Sequence, residues 1–256
     1  MNKKLKIIIL IVFLIIILGI GYFINQKFSQ NNQLLNAEIS PIPSVVASPT
    51  PSPKEEESPS LQAQEIPESY LIKNFPFQPQ APFAVWDELH DEACEEAAVI
   101  LVQWWNENKS TISAQRMDEE ILKMVDWQVK TWGAHKDLTV KETAELAQEF
   151  YGLELTPKYG IDIETIKKAV SKNQPVIVPT AGRLLGNPYY RQPGPIYHML
   201  VIIGYEGRTI ITQDIGTKRG EHYSYNEKIL FNAIHDWNGS PEAIEQGQKA
   251  MLTLSG

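Results

Sequence analysis

An uninterrupted apolar run near the start of the chain sets the first limit on how this sequence can fold. The run from Ile7 to Ile24 contains no charged side chain, and Lys3, Lys4 and Lys6 precede it. At 1.5 Å per residue, a helix over this run is roughly 27 Å long, close to the hydrocarbon thickness of a bilayer. The sequence therefore predicts a transmembrane anchor over residues 1–25, separate from any globular core.

A cleaved signal peptide is the alternative to an anchor. Its apolar region is usually shorter and is followed by an A-x-A-like cleavage site. Here the run ends in GIGYFINQKFSQ, with no clear small-x-small site, which favours an uncleaved anchor. Positive charges before a span stay in the cytoplasm. We therefore expect a single-pass protein of the cell membrane whose C-terminal bulk is extracytoplasmic.

The composition changes after the apolar run. Residues 26–66 are rich in Pro, Ser and Glu, with six prolines between positions 41 and 59. Such a segment cannot bury a core, so the composition predicts a disordered linker. The remaining residues, 67–256, are enough for one folded domain.

The charge balance argues against one class of partner. The chain has 23 Lys and Arg against 31 Asp and Glu, a formal net charge of −8. It therefore carries no basic footprint for nucleic acid. We expect a monomer that contacts the membrane through its N-terminal helix.

The chain has one cysteine, Cys94, in the stretch QAPFAVWDELHDEACEEAA. A lone cysteine is most often a small buried hydrophobe. The run AAVILVQWW after it predicts a helix that begins near Cys94, with Asp87 or Asp91 as the N-cap. We prefer Asp91, because the thiol then lies in the first turn, where the helix dipole favours a thiolate. The flanking carboxylates oppose ionisation, so a cationic partner would be needed.

Helical patterns come first in the domain and strand patterns follow, which predicts an α+β fold. The predicted helices after the Cys94 helix cover residues 114–130, 139–152 and 162–172, with a capping box at Thr139–Glu142 and an N-cap at Asp162. The predicted strands are 175–180, 197–203 and 208–214, the last two forming a hairpin. Two closing helices are predicted over 226–236 and 240–251. The loop before the hairpin carries Arg183, Tyr189, Tyr190 and Arg191, which either contact substrate or pack as an ordinary loop.

The hairpin brings a histidine and a carboxylate into the same region. His198 in an apolar strand is, taken alone, most often a hydrogen-bonded core residue. If the turn centres on Glu206, partners sum to 412 and His198 faces Asp214. A carboxylate beside an imidazole fixes its tautomer and favours its charged form. A one-residue slip in register would separate the two.

Cys94 supplies the nucleophile that such a pair lacks. In a Cys–His–Asp set the imidazolium stabilises the thiolate and later protonates the leaving amine, while the carboxylate holds the ring. An oxyanion donor is also needed, and Gln80 and Gln78 lie upstream; either is equally a surface glutamine. A metal site from His90, Asp91, Glu92 and Cys94 matches no familiar zinc spacing, so we expect neither metal nor cofactor.

Several segments together resemble the peptidase family 39-like cysteine peptidases, which are similar to the leader-peptide-cleaving domains of bacteriocin exporters. The segments are Gln80-Ala-Pro-Phe, Trp86, Ala93-Cys94-Glu95-Glu96-Ala97, Tyr197-His198-Met199 with Gly204-Tyr205, and Asp214-Ile-Gly216-Thr-Lys-Arg-Gly220. The resemblance covers roughly residues 75–225. It implies a papain-like fold, in which a helical part carrying the cysteine packs against an antiparallel sheet carrying the histidine and the aspartate.

The same resemblance implies roles for four residues: Cys94 as nucleophile, His198 as base, Asp214 as orienter and Gln80 as oxyanion donor. Gln80 departs from the pattern, because it lies fourteen residues before Cys94 rather than about six. Ile215 also stands where many relatives have proline. No transporter domain is present in this sequence, so the exporters' leader-peptide substrate does not carry over.

The sequence therefore predicts a membrane-anchored extracytoplasmic thiol peptidase that hydrolyses a peptide or isopeptide bond. Two alternatives stay open at this point. One is an amidohydrolase that acts on the stem peptides of cell-wall peptidoglycan, and the other is a catalytically inactive binding module on a tether.

Overall fold

The computed structural model describes residues 65–255 of the chain. The predicted anchor and residues 26–64 of the predicted linker lie outside this range, so both stay predictions. No helix within residues 65–255 is both long and apolar enough to cross a bilayer.

The helix that carries Cys94 is preceded by a separate single turn. Helix α1 covers Glu88–Asp91 and is capped by Asp87, whose carboxylate accepts a hydrogen bond from the backbone N–H of His90 at 2.9 Å. Helix α2 covers Cys94–Asn106, and its N-cap is Ala93 with no side-chain cap. The prediction that Asp91 or Asp87 caps the Cys94 helix is wrong, because the chain forms α1 first and Asp87 caps that turn. Cys94 nevertheless lies in the first turn, as expected.

Four further helices follow: α3 at Ala114–Trp132, α4 at Val140–Tyr151, α5 at Ile163–Ser171 and α6 at Glu227–Ala233. Both predicted caps are confirmed. Thr139 and Glu142 form the reciprocal capping box of α4, and Asp162 accepts a hydrogen bond from the N–H of Thr165 at the start of α5. Each helix start is thus fixed by a short polar side chain that satisfies N–H groups lacking a partner within the helix.

Seven strands form one antiparallel sheet on which the helices pack. They are β1 (Ser69–Leu71), β2 (Leu155–Tyr159), β3 (Val176–Ala181), β4 (Tyr197–Glu206), β5 (Thr209–Gln213), β6 (Tyr223–Asn226) and β7 (Ala250–Leu254). The strand order is β2-β7-β3-β4-β5-β6, and β1 continues along the β3 edge of β4. An α+β domain with an antiparallel sheet is therefore confirmed.

The hairpin β4–β5 forms, but its register differs from the prediction. Glu206 pairs with Thr209, so the turn lies at residues 207–208, and a bulge between Ile202 and Gly204 shifts the pairing once more. Val201 consequently lies opposite Gln213, the last residue of β5. His198 and Asp214 are therefore not cross-strand partners, because Asp214 lies past the end of β5.

The C-terminal helix predicted over residues 240–251 is wrong. A short 3₁₀ helix covers Pro241–Gln246, and the chain then forms β7 between β2 and β3. Four of the five residues of β7 are buried. A strand covered on both faces shows no apolar–polar alternation, so its pattern is indistinguishable from that of a buried helix.

Candidate active site

His198 and Asp214 are joined directly despite the shifted register. Nε2 of His198 lies 3.0 Å from Oδ1 of Asp214, and both side chains are almost wholly buried. Asp214 reaches the ring from beyond the end of β5. Gly216 lies against the same end of the ring, since a Cβ at that position would lie 3.0 Å from Cε1 and 3.1 Å from Nε2 of His198. The predicted base and its orienter are thus brought together, and a side chain at residue 216 would press on the ring.

The second oxygen of Asp214 is fully engaged. Oδ2 accepts hydrogen bonds from Nδ2 of Asn187 at 2.9 Å, from the hydroxyl of Tyr190 at 2.7 Å and from the hydroxyl of Tyr225. Burial alone would raise the pKa of Asp214, but the hydrogen bonds from His198 and the two tyrosines bring it below its usual value. Asp214 is therefore an ionised carboxylate held from several sides.

The thiol of Cys94 lies against the strand that carries His198. Its Sγ accepts a hydrogen bond from the backbone N–H of Met199, the residue after His198, at 3.2 Å. The S–H donates to Oε2 of Glu95 at 3.0 Å. Within residues 65–255 no hydrogen bond joins the thiol to His198, whose Nδ1 has no hydrogen-bond partner there. The fold thus places the predicted nucleophile against the backbone of the residue that follows the predicted base, with the thiol turned toward Glu95.

Electrostatics keep this thiol protonated. Burial raises the pKa of Cys94 well above its usual value, and the carboxylate of Glu95 raises it further, while the N–H of Met199 acts in the opposite direction. The position in the first turn of α2 was expected to favour a thiolate. That stabilisation is outweighed here, chiefly because burial disfavours the charged form of the thiol and also because Glu95 is in direct contact with it.

Glu95 and Glu96 are both buried, with 1% of each exposed. Two consecutive glutamates more often form a solvated helix face. Oε1 of Glu95 accepts the backbone N–H of Leu138 at 2.7 Å, and Oε1 of Glu96 accepts from Nε2 of Gln128. Burial and the neighbouring Glu96 raise the pKa of Glu95 well above its usual value. Cys94 therefore borders a pair of buried carboxyl groups.

Two more carboxyl groups near this region have raised pKa values. Burial, with Glu92 as the next cause, raises the pKa of Asp137 to about 7, and burial raises that of Asp236 to about 6. An unfolded aspartate releases its proton near pH 4. Between about pH 4 and pH 7 the folded state therefore holds protons that the unfolded state has lost, so stability falls as the pH rises.

We expect the melting temperature of the domain to be higher at pH 5 than at pH 7.5, and Asp137→Asn to reduce that difference. Differential scanning calorimetry at the two pH values measures it. Asp126→Asn is the matched control, because Asp126 lies on the exposed face of α3 in an i,i+4 pair with Lys130 and should leave the difference unchanged. A melting temperature that rises from pH 5 to pH 7.5 would contradict the assignment.

Gln80 lies at the segment that leads into α2. Its Nε2 donates to the carbonyl oxygens of His90 at 2.8 Å and of Asp91 at 3.1 Å, and its Oε1 has no partner among the described residues. Gln78 instead donates to the carbonyl of Ile112, before α3. Helix α1 occupies part of the thirteen residues between Gln80 and Cys94, which accounts for the long spacing. Gln80 is thus the better placed of the two glutamines, although both of its amide hydrogens are engaged.

The four residues weighed as a metal site are used differently. Nδ1 of His90 lies 2.7 Å from Asp87 and Nε2 lies 3.0 Å from Asp118, so its ring sits between two carboxylates. Cys94 is engaged with Met199 and Glu95, as above. Across residues 65–255, no three His, Cys, Asp or Glu side chains are grouped so as to hold a metal ion.

Several contributors to this site carry no recognisable sequence signal. Tyr225 and Asn187 lie far from Asp214 in the chain, and nothing in their local pattern points to it. Tyr190 was one of the loop residues considered for substrate contact, yet it is 6% exposed and turned inward. Its sequence neighbours Tyr189 and Arg191 are exposed. Only the tertiary fold identifies these three side chains as partners of Asp214.

Comparison with known proteins matches one family and a number of solved structures. The sequence model described as the Peptidase_C39 like family matches residues 72–240. A protein from Bacillus anthracis whose structure is described as that of a C39-like peptidase is 14% identical with a TM-score of 0.49, covering 73% of this chain and 98% of its own. Xylellain, a cysteine protease from Xylella fastidiosa, is 11% identical with a TM-score of 0.31, covering 74% of this chain and 86% of its own. No curated protein matches the sequence.

Proposed function

Because this chain belongs to the Peptidase_C39 like family, we propose that it is a thiol peptidase that hydrolyses a peptide or isopeptide bond through Cys94, His198 and Asp214. One observation carries the proposal. The only sulfur nucleophile lies 3.2 Å from the backbone nitrogen of Met199, next to a histidine whose ring Asp214 already holds. A buried cysteine of purely structural use would not need an oriented imidazole beside it.

The two ring nitrogens of His198 have different roles in this mechanism. Asp214 occupies Nε2 of His198, so Nδ1 is the nitrogen left for the thiol. For the reaction, Sγ of Cys94 would have to leave Glu95 and come within hydrogen-bond reach of that nitrogen. The thiol proton then passes to Nδ1, and the thiolate attacks the substrate carbonyl carbon. Asp214 keeps the ring in place and balances its positive charge.

The remaining steps return the enzyme to its starting state. The imidazolium gives its proton to the leaving amine as the C–N bond breaks, which leaves an acyl group on Sγ. His198 then takes a proton from water, the resulting hydroxide releases the acid, and the thiol is re-formed. The oxyanion would face the start of α2, where first-turn N–H groups have no partner within the helix. Gln80 could donate there only after releasing a carbonyl of His90 or Asp91.

A groove beside this site is of a suitable kind for a peptide side chain. It has a volume of about 340 Å³, and its apolar lining includes Ala181, Leu184, Ile196 and Ile244. Ile196 lies two residues before His198, so the groove begins within roughly 7 Å of the His198 backbone. This proximity supports a substrate that extends across the β3–β4 end of the sheet.

The cell location belongs to the same proposal. The apolar run Ile7–Ile24 after three lysines supports an N-terminal membrane anchor with the peptidase domain outside the cytoplasm. Substrates would then be peptides or proteins of the cell surface or its surroundings.

One experiment tests both the activity and the location. Protein N-termini are compared between cells that carry the wild-type chain and cells that carry Cys94→Ser. We expect new termini that require Cys94, on surface or secreted proteins. New termini confined to cytoplasmic proteins would contradict the location. Identical termini, together with clearing bands in a peptidoglycan gel only for the wild type, would replace the peptidase by a cell-wall amidohydrolase.

A further inference from the structure

The far oxygen of Asp214 has more hydrogen-bond donors than a simple orienter of histidine needs. Oδ1 faces His198 and also accepts the backbone N–H of Gly216 at 3.1 Å. Oδ2 accepts from Asn187, Tyr190 and Tyr225, and none of the three is exposed beyond 6%. All three donors are thus shielded from water, and all converge on one atom.

We propose that Asn187, Tyr190 and Tyr225 are positioning residues of the catalytic site, which act through Asp214. The inference rests on the proposed function above, because it takes His198 as the base. The three donors keep Asp214 ionised in a site that excludes water, and by saturating Oδ2 they leave Oδ1 as the oxygen available to the imidazole.

The donors on Oδ2 stabilise the negative charge of Asp214. A carboxylate with no exposure to water is strongly destabilised unless hydrogen bonds replace its hydration. Each bond from a hydroxyl or amide to the charged oxygen favours the ionised form. A protonated Asp214 could not support an imidazolium. The donors on Oδ2 therefore preserve the charge on which the proposed base depends.

Tyr190 also restricts the orientation of the His198 ring. The ring of Tyr190 lies edge-on to that of His198, with centroids 5.6 Å apart and planes at 75°. A Cβ at Gly216 would lie 2.9 Å from Cε1 of Tyr190 and 3.0 Å from Cε1 of His198. Tyr190 thus holds the carboxylate with its hydroxyl and confines the imidazole with its ring.

The donors to Oδ2 of Asp214 come from two separate segments of the chain, so Asp214 links these segments to each other. Asn187 and Tyr190 lie in the loop between β3 and β4, where Oδ1 of Asn187 accepts the N–H of Tyr189 and the carbonyl of Asn187 accepts the N–H of Tyr190. Tyr225 lies on β6 and also accepts from Nδ2 of Asn187 at 3.0 Å. The loop is therefore tied to the sheet through Asp214.

A purely structural role would be met by phenylalanine, which fills the volume of tyrosine without its hydroxyl. Tyr190→Phe and Tyr225→Phe therefore isolate the electrostatic part. The readout is the rate of Cys94 alkylation by iodoacetamide as a function of pH, in the full-length protein, followed by mass spectrometry. Because Cys94 is the only cysteine, alkylation reports this site alone.

We expect each variant to move the acid limb of the alkylation profile to higher pH by about one unit, since one hydrogen bond to a charged group is removed. The double variant should move it further. Tyr223→Phe is the matched control: it lies on β6 two residues from Tyr225 and makes no hydrogen bond to Asp214 within the described residues. It should leave the profile unchanged.

If a tyrosine variant fails to fold, Asn187→Ala removes the third donor and should produce the same shift. Profiles of folded Tyr190→Phe and Tyr225→Phe that coincide with wild type would overturn the inference. His198→Ala separates this result from the proposed function. If His198→Ala changes the profile while the tyrosine variants do not, only the positioning role fails. If His198→Ala also has no effect, His198 is not the base and the proposed function fails.

Discussion

Asp214→Ala should destabilise the domain by about 3 to 5 kcal/mol, which is the range for removing one partner of a buried, hydrogen-bonded charge network. The change leaves the hydroxyls of Tyr190 and Tyr225, the amide of Asn187 and Nε2 of His198 without their common acceptor. Each unsatisfied buried donor is itself unfavourable. Urea denaturation followed by tryptophan fluorescence measures the loss.

Asp214→Asn is the informative companion. Its amide is nearly isosteric, and the tyrosine hydroxyls can turn to accept its N–H groups, so the fold should be kept with a smaller loss of stability. Both variants should slow Cys94 alkylation near neutral pH, because the negative charge that supports the imidazolium is gone. Asp126→Ala, which removes an exposed carboxylate on α3, should change stability by no more than about 0.5 kcal/mol.

Stability and the alkylation rate of Cys94 distinguish a structural role of Asp214 from a catalytic one. A lower stability with an unchanged alkylation profile in both variants would make Asp214 a structural residue and remove it from the triad, leaving a Cys94–His198 dyad. An Asp214→Ala variant as stable as the wild type would contradict the hydrogen-bond network itself.

Glu95→Gln should increase the alkylation rate of Cys94 at pH 7 to 8 by about tenfold or more. Glu95 contacts the thiol at 3.0 Å and, after burial, is the largest cause of its raised pKa. Because burial and Glu96 raise the pKa of Glu95 itself, the increase should be largest at the alkaline end of this range, where Glu95 is ionised and its charge opposes the thiolate. Each unit by which the thiol pKa falls is a tenfold change in thiolate. The glutamine can keep the hydrogen bond from Leu138 by presenting its amide oxygen.

Glu96→Gln is the matched control for this prediction. Glu96 is as deeply buried as Glu95 and one residue further along α2, but it contacts Gln128 rather than the thiol. It should have a clearly smaller effect on the alkylation rate. A rate for Glu95→Gln equal to or below that of the wild type, with the fold intact by circular dichroism, would show that Glu95 does not hold the thiol in its protonated form.

The elements that could be predicted are those defined by local chemistry. The capping box at Thr139 and the cap at Asp162 are short-range hydrogen bonds, so the local sequence is sufficient to locate α4 and α5. The helix α2 could be recognised from its apolar run, but its neighbour α1 could not be separated from it. Both Asp87 and Asp91 were reasonable caps for α2, but neither caps it, because Asp87 caps α1 and Ala93 is the N-cap of α2.

The elements that could not be predicted depend on distant partners. The register of the hairpin depends on the turn at residues 207–208 and on the bulge between Ile202 and Gly204. A glycine within a strand is a general sign of a bulge, but Gly204 by itself does not fix which residues pair. His198 and Asp214 are nevertheless in contact, because Asp214 lies just past the end of β5 and its side chain reaches the His198 ring from there. Pairing of residues across the two strands does not predict this contact. In the same way, the local sequence around Glu95 and Glu96 is typical of solvated residues. Their burial depends on distant partners, Gln128 on α3 for Glu96 and the backbone of Leu138 for Glu95.

The position of β7 has a consequence for the order in which the protein can be made. Translation proceeds from the N-terminus, so Cys94, His198 and Asp214 are all synthesised before residues 250–254. Until those residues arrive, the β3 edge that pairs with β7 is bare, and β2 has none of the pairing that β7 provides. An open edge with a fully buried sequence such as Val176–Ala181 readily pairs with other chains. A nascent chain that stalls before residue 250 would therefore carry every proposed catalytic residue on an unfinished sheet, and we expect it to aggregate.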